Sequence, residues 1–296
     1  MLLVTGGTGF LGSVLVAQAV AVGRAVRVLV RDPVKAAAVL PTGAETVVGN
    51  LEALDGALDG CDAVVHLAGL VGGTEREIRH ANVEGTRVLL AAMERAGVRR
   101  LVHVSSSAAV MDATGLLSEH PTGPPALSDP YSRAKAEADR LVLAADVDAS
   151  IVVPVSIYGP SPAGPQSYNG LFLAAARGEI TEIVDSPIGW VLAEDAAAGI
   201  LRVLDDGAPG ARYLLCGEVA PFKPVLDAVC ALLRSPHEVR ALAPGSRLGP
   251  DAHTFARRSE VYGHFPPVHV DSANADGLGI RCRGVDEGLR ITCDWL

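Results

Sequence analysis

Leu2-Leu3-Val4-Thr5-Gly6-Gly7-Thr8-Gly9-Phe10-Leu11-Gly12 decides the fold. A short apolar strand runs into glycines at 6, 9 and 12, and a helical pattern follows through Val14, Leu15, Ala17, Gln18, Ala19 and Val22. The first glycine permits a tight turn, the second lets a phosphate approach the main chain, and the third lets helix and strand pack closely. The helix start adds unpaired N–H groups and the positive end of a dipole. The turn is therefore expected to receive a dinucleotide pyrophosphate. A plain strand–helix turn rarely needs three glycines.

Outward from this turn, strands predicted at 26–30, 46–48, 63–66, 101–104 and 150–153 alternate with helices predicted at 34–40, 51–58, 75–96 and 131–145. Buried strands alternating with helices imply an α/β fold, a parallel sheet covered on both faces. Right-handed crossovers make it doubly wound, a Rossmann sheet. After Tyr158 the texture changes. Gly159-Pro160-Ser161-Pro162-Ala163-Gly164-Pro165 is a breaker-rich loop. A helix is expected near 171–176. Residues 190–197 read as a strand entering a helix, with Glu194 and Asp195 in its first turn, where the dipole favours them. Another strand is expected at 213–215, irregular chain at 234–280 and a last helix at 285–295. The division expected is a dinucleotide-binding domain over 1–157, with 188–215 returning to it, and a smaller substrate-covering region over 158–187 and 216–296.

Composition narrows the partners. With 296 residues and 49% apolar side chains, the chain can build a sizeable core. A net charge of −9 argues against nucleic acid and anionic membrane. No apolar run reaches membrane-spanning length. The first strand begins at residue 2, so no leader is expected. The five cysteines (Cys61, Cys216, Cys230, Cys282, Cys293) are odd in number and show no Cys-x-x-Cys. They read as reduced thiols of a cytoplasmic protein.

The segments together resemble the extended short-chain dehydrogenase/reductase family, in particular its dihydroflavonol-reductase-like and sugar-epimerase-like members. The resemblance rests on the glycine turn, His66-Leu67-Ala68-Gly69, Asn82-Val83-Glu84-Gly85-Thr86, Ser105-Ser106-Ser107, Tyr131-Ser132-Arg133-Ala134-Lys135 and Ile157-Tyr158-Gly159-Pro160, with a weaker match at 288–296. Where many relatives carry Tyr-Gly, this chain has Met111-Asp112.

Tyr131 and Lys135 are four apart and share one helix face. An ammonium beside a phenol favours the phenolate and is expected to lower its pKa. The resemblance implies that Tyr131 is the general acid/base and that Lys135 tunes it and holds the nicotinamide ribose. It also implies that Ser107, with Ser106 as the fallback, orients the reacting oxygen. Asn82 would help place the nicotinamide side; alternatively it is a structural amide bonding nearby backbone. Gly6, Thr8, Gly9, Phe10, Leu11, Gly12, Leu67, Ala68, Gly69 and Pro154 complete the implied cofactor contacts. Asn50 and Leu51 stand where relatives have Asp-Leu beside the adenine.

In NAD-preferring members the second strand ends in an acid; that position here is Val30, and Arg31 comes next. A guanidinium there suits a 2′-phosphate, with Lys35 assisting, so NADP(H) is favoured over NAD(H). Asp32 facing the ribose would soften that preference.

Fold alone does not decide the reaction. A resemblance to 4,6-dehydratases would call for Asp-Glu directly after the catalytic hydroxyl; Ala108-Ala109 cannot move a proton, which argues against that class. Val153-Pro154 lacks the arginine usual in sugar-nucleotide epimerases. Reduction of a ketone or oxidation of an alcohol remains. The alternatives are a nucleotide-sugar epimerase and a non-catalytic NADP(H)-binding module. The substrate is expected to be a small molecule, an apolar ketone rather than a charged sugar nucleotide. Trp190, Tyr168, Phe172 and Phe265 either line its pocket or pack the core. His237, His253, His264 and His269 do not have metal-site spacing. The chain is expected to be a monomer, or a homodimer paired through the helices near 83–96 and 131–145.

Overall fold

The computed structural model describes residues 1–52, 54 and 56–296. β1 (Leu2–Thr5) enters α1 (Phe10–Ala21) through the glycine turn, and β2 (Val26–Val30) enters α2 (Pro33–Val39). β3 (Glu45–Val48) and β4 (Ala63–His66) follow. α3 (Glu75–Arg79) runs through a π turn at His80–Glu84 into α4 (Gly85–Ala96), then β5 (Arg100–Val104). A 3-10 turn at Ser107–Ala109 and the short β6 (Leu116–Ser118) precede α5 (Pro130–Ala144). Next come β7 (Asp148–Pro154), β8 (Ser156–Tyr158), α6 (Tyr168–Ala176), β9 (Glu182–Val184) and β10 (Pro187–Leu192). α7 (Ala193–Asp206), β11 (Arg212–Leu215), β12 (Glu218–Pro221) and α8 (Phe222–Leu232) continue the chain. β13 (Arg240–Leu242), α9 (Arg257–Gly263), β14 (His269–Asp271), α10 (Ala273–Gly277) and α11 (Val285–Trp295) complete it.

Seven strands pair in parallel in the order β3-β2-β1-β4-β5-β7-β11. This is the doubly wound Rossmann sheet expected from the alternation. The order reverses between β1 and β4, and ligands bind outside the carboxyl ends of strands at such a point. Leu3, Val4, Val64, Val65, Leu101, Val102, Ile151 and Val152 are fully buried. Helices cover both faces, so these strands read as unbroken apolar runs rather than alternating ones.

A second apolar core lies under α6, α8 and α11. Its hub is Trp190, with the rings of Tyr168, Phe222, Phe172 and Tyr158 at 5.2, 5.7, 5.9 and 6.1 Å. The indole N–H donates to the Ala220 carbonyl.

The expected 51–58 helix is replaced by turns in the described residues; Ala53 and Asp55 lie outside them. Gly56 and Gly60 take positive φ, which stops helical continuation, while Leu54, Ala57 and Leu58 still bury. The expected single helix at 75–96 contains the π turn, which holds Asn82. The 188–215 segment divides. β10 leaves the main sheet to pair with β8 and β12, whereas α7 packs on α1 and β11 joins the main sheet. β8 spans the expected boundary at 157. Residues 234–280, expected to be irregular, hold β13, α9, β14 and α10, with β13 pairing β9 and β14 pairing β6. Among the described residues no helix is long and apolar enough to cross a membrane.

Candidate functional site

A cavity of about 660 Å³ opens at the carboxyl ends of β1, β4, β5 and β7. That volume suits a small organic ligand or cofactor. Gly6, Gly9, Phe10, Leu11 and Gly12 form one wall, Leu67, Gly69 and Asn82 the next, and Ser105, Ser106, Ser107, Tyr131, Lys135 and Pro154 the floor.

The glycines have separate jobs. Gly6 has φ +74°, and a Cβ there would lie 2.6 Å from the Ala68 nitrogen. A Cβ on Gly12 would lie 2.2 Å from the Gly6 carbonyl oxygen. Both therefore serve packing of the chain on itself. A Cβ on Gly9 would meet only the Gly6 oxygen, at 3.2 Å, so its smallness leaves the cavity side open. No side chain caps α1, and its first turn carries no acidic residue. Its first N–H groups need acceptors from outside the helix, which fits a pyrophosphate.

Asp129 places Tyr131. Its carboxylate accepts from the Tyr131 and Ser132 backbone N–H groups at 3.0 and 3.1 Å, capping α5, and Pro130 takes the first helical position. Lys135, one turn on, is buried and donates to the Val104 carbonyl at 2.7 Å. Burial pulls its ammonium down to about 8, against a raising influence from Asp139.

The Tyr131 phenol departs from expectation. Burial raises its pKa, and the lowering influences are a hydrogen bond with Ser106 and the charge of Arg258. The ammonium expected to lower it is turned to the end of β5 instead. The serines diverge because the chain leaves a strand for a 3-10 turn. Ser105 donates to Asp139 at 2.8 Å, Ser106 caps the turn and meets the phenol, and Ser107 is buried against the cavity.

Beneath the floor lies a buried polar cluster. His66 bonds Thr5 at 2.6 Å and Thr86 at 3.1 Å through its two ring nitrogens. The His103 ring centre is 5.4 Å from that of His66, and its Nε2 lies 3.4 Å from Asp139. Burial foremost, with the nearby Lys135 ammonium adding to it, pulls both imidazoles below the usual histidine value, which favours their neutral forms. Sequence patterning does not reveal this cluster, because its members lie on five separate elements.

The remaining expected residues divide. Asn82 reaches the cavity wall, but its amide serves backbone: Oδ1 accepts from Leu70 at 3.2 Å, and Nδ2 donates to the Leu70 and Ile78 carbonyls at 2.8 Å each. Thr8 and Ala68 lie outside the cavity lining, Ala68 packed beneath Gly6. Arg31 and Lys35 are exposed after β2, also outside that lining. Asp32 accepts from the Val34 and Lys35 N–H groups at 2.9 and 3.0 Å, capping α2. Asn50 accepts from Glu52 at 2.9 Å, and Leu51 packs against Gly85.

Of the four aromatics expected at the pocket or in the core, Tyr168 lines the cavity. Trp190 and Phe172 are core, and Phe265 packs against the main core. Met111 is buried, and Asp112 folds its own turn by accepting from Thr114 and Leu116. Arg258, Val261 and Tyr262 of α9, with Gln166 and Ser167 before α6, join the lining without having been singled out in the sequence. Ser167 carries φ +57°, a strained value for a side-chain-bearing residue. No group of three His, Cys, Asp or Glu among the described residues is arranged to hold a metal.

The family model "NAD dependent epimerase/dehydratase family" matches residues 2–216. The chain is 34% identical over 253 residues to sterol demethylase protein B of Methylococcus capsulatus, covering 82% of this chain and 77% of that one. It is 31% identical over 258 residues to a 3 beta-hydroxysteroid dehydrogenase/Delta 5→4-isomerase of Mycobacterium tuberculosis, covering 76% and 68%. A solved dTDP-glucose 4,6-dehydratase of Streptomyces venezuelae, a double mutant with NAD bound, superposes with a TM-score of 0.81 at 26% identity, covering 100% of this chain and 96% of that one.

Proposed function

The chain belongs to the NAD dependent epimerase/dehydratase family, and we propose that within it this protein is an NADPH-dependent ketoreductase/dehydrogenase interconverting a small-molecule carbonyl and its alcohol. The observation that carries this reading is the convergence of Tyr131, Lys135, Ser106 and Ser107 with the glycine turn on one cavity. When bound, the nicotinamide nucleotide supplies or accepts the hydride. The glycine turn and the first N–H groups of α1 hold its pyrophosphate. Lys135 uses one donor on Val104 and has others for the ribose hydroxyls. Ser107, beside Ser106, hydrogen-bonds the substrate oxygen. Tyr131 protonates that oxygen during reduction, and burial suits it to the task by keeping the phenol protonated until the oxygen becomes basic.

Arg31 supports the phosphate-bearing cofactor. It is exposed immediately after β2, and no carboxylate among the described residues pairs with it. Asp32 caps α2 through Oδ1. Ala108 lies in the cavity lining where a dehydratase needs a proton-carrying side chain.

The test is NADPH consumption over a panel of ketones, with cofactor binding measured alongside. Tyr131→Phe is expected to lower kcat by about 10²–10⁴-fold and to leave NADPH binding intact. Arg31→Ser is expected to remove the preference for NADPH over NADH. Undiminished turnover by Tyr131→Phe would overturn the mechanism. NADPH binding by the wild type with no turnover of any ketone would favour the binding-module alternative.

A further inference from the structure

Arg258 is held on the cavity wall in an unusual way. Its guanidinium carbon lies 5.1 Å from the centre of the Phe255 ring and 5.5 Å from that of Tyr168. The cation thus lies over two aromatic rings, contacts that do not consume its N–H donors. Among the described residues, no acceptor and no carboxylate pairs with the guanidinium, although the residue is half-buried. Its neighbour Arg257 behaves differently, donating to the Gly249 and Pro250 carbonyls and lying 3.8 Å from Glu260.

The local carboxylates are engaged elsewhere. Glu260 accepts from the Leu248 N–H, and Asp129 is occupied by the cap of α5 and the Ser132 hydroxyl. The cavity lining therefore carries two cations, Arg258 and Lys135, against one carboxylate, Asp129, which already accepts three hydrogen bonds from α5. Arg258 lines the same cavity as Tyr131 and Tyr262, and its positive charge acts to lower the pKa of both phenols. A partly desolvated guanidinium without a partner is costly, and a planar fork matches an oxyanion bidentately.

We propose that Arg258 is a specificity-determining residue that binds an oxyanion, a carboxylate or a phosphate ester, carried by the substrate close to its reacting carbonyl. This inference rests on the ketoreductase reading and narrows it: the substrate joins an apolar body to an anionic group. The neighbouring Tyr168 and Tyr262 rings and Val261 supply apolar contact for that body.

Matched pairs test it. 3-Oxooctanoate and methyl 3-oxooctanoate share one ketone and differ in charge; dihydroxyacetone phosphate and dihydroxyacetone do the same for the phosphate source. In the NADPH-loaded wild type, KM for the anionic member of at least one pair is expected to be about tenfold or more below that of its neutral partner. Arg258→Gln is expected to erase that difference while leaving the KM for NADPH unchanged. Arg258→Lys should restore it in part. The favoured pair identifies the oxyanion.

Equal KM values within both pairs, or an Arg258→Gln effect on NADPH rather than on the anion, would overturn the proposal. Binding separates this outcome from failure of the ketoreductase reading. Trp190 lies 5.2 Å from the Tyr168 ring, so its fluorescence can report titration of the NADPH complex with the same four compounds. Charge-selective binding that is lost in Arg258→Gln supports the oxyanion site even without turnover; its absence counts against it.

Discussion

Gly9 and Gly12 illustrate how two residues of one type answer to different neighbours. A Cβ on Gly12 would press on the Gly6 carbonyl and on the Gly7 Cα at 2.8 Å, and backbone there has no room to yield. Gly12→Ala is expected to destabilise the fold by about 1–3 kcal/mol, read as a lower midpoint in urea. Gly9→Ala meets a single oxygen at 3.2 Å. It is expected to leave the urea midpoint nearly unchanged and to weaken NADPH binding about tenfold or more, since the added methyl occupies the space a phosphate needs. Equal loss of stability in both variants would contradict this division. The serines carry a related lesson. Three identical neighbours take different partners because the backbone changes from strand to 3-10 turn between them: Ser105 bonds Asp139, whereas Ser106 caps the turn and acts to lower the pKa of the phenol.

At the scale of the element, α5 organises the chemistry through its period. Tyr131, Lys135 and Asp139 follow at four-residue steps, so one face carries phenol, ammonium and carboxylate in order. Asp139 is met by Ser105 and His103 of β5 and its following turn, and by Arg212 of β11 at 4.0 Å. Lys135 is charged below about pH 8 and neutral above it. Turnover that needs the ammonium is therefore expected to fall as the pH rises through that value. Asp139 favours the charged lysine, so Asp139→Asn is expected to move this alkaline limb about one unit toward lower pH. Activity at pH 6 should be retained, as lysine stays charged there. A uniform loss at all pH values would instead assign Asp139 a purely structural role.

Across the whole molecule, the site depends on how the carboxy-terminal chain is fastened over the sheet. Arg283 does much of this. Its backbone N–H donates to Asp195 at 2.7 Å, and its guanidinium bonds Asp195 and Glu194, the acidic pair that opens α7. The Asp195 side chain is 10% exposed and that of Arg283 27%, so solvent screens this contact only in part. Arg283→Met keeps the backbone bond and loses the fork. A loss of about 2 kcal/mol and a Tm lowered by roughly 4–8 °C are expected in a thermal melt. Because α11 packs on α8, and α8 on the α6 that presents Tyr168, the same variant should raise the ketone KM more than the NADPH KM. An unchanged Tm would show that the two cores alone hold this region in place.

The sequence by itself determined the sheet, the glycine turn and the Tyr131–Lys135 pair. Each is written in local order, as apolar runs between helices, as residues with no Cβ at a bend, or as a four-residue step on a helix. The tertiary structure decided what depends on residues far apart in the chain. It set which serine reaches the phenol, that the Asn82 amide holds a loop, that Trp190 and Phe172 belong to a core, and that Arg258 enters the cavity between two rings. These outcomes follow from packing and burial between separate elements, which have no fixed spacing along a chain and so leave no periodic signature in it.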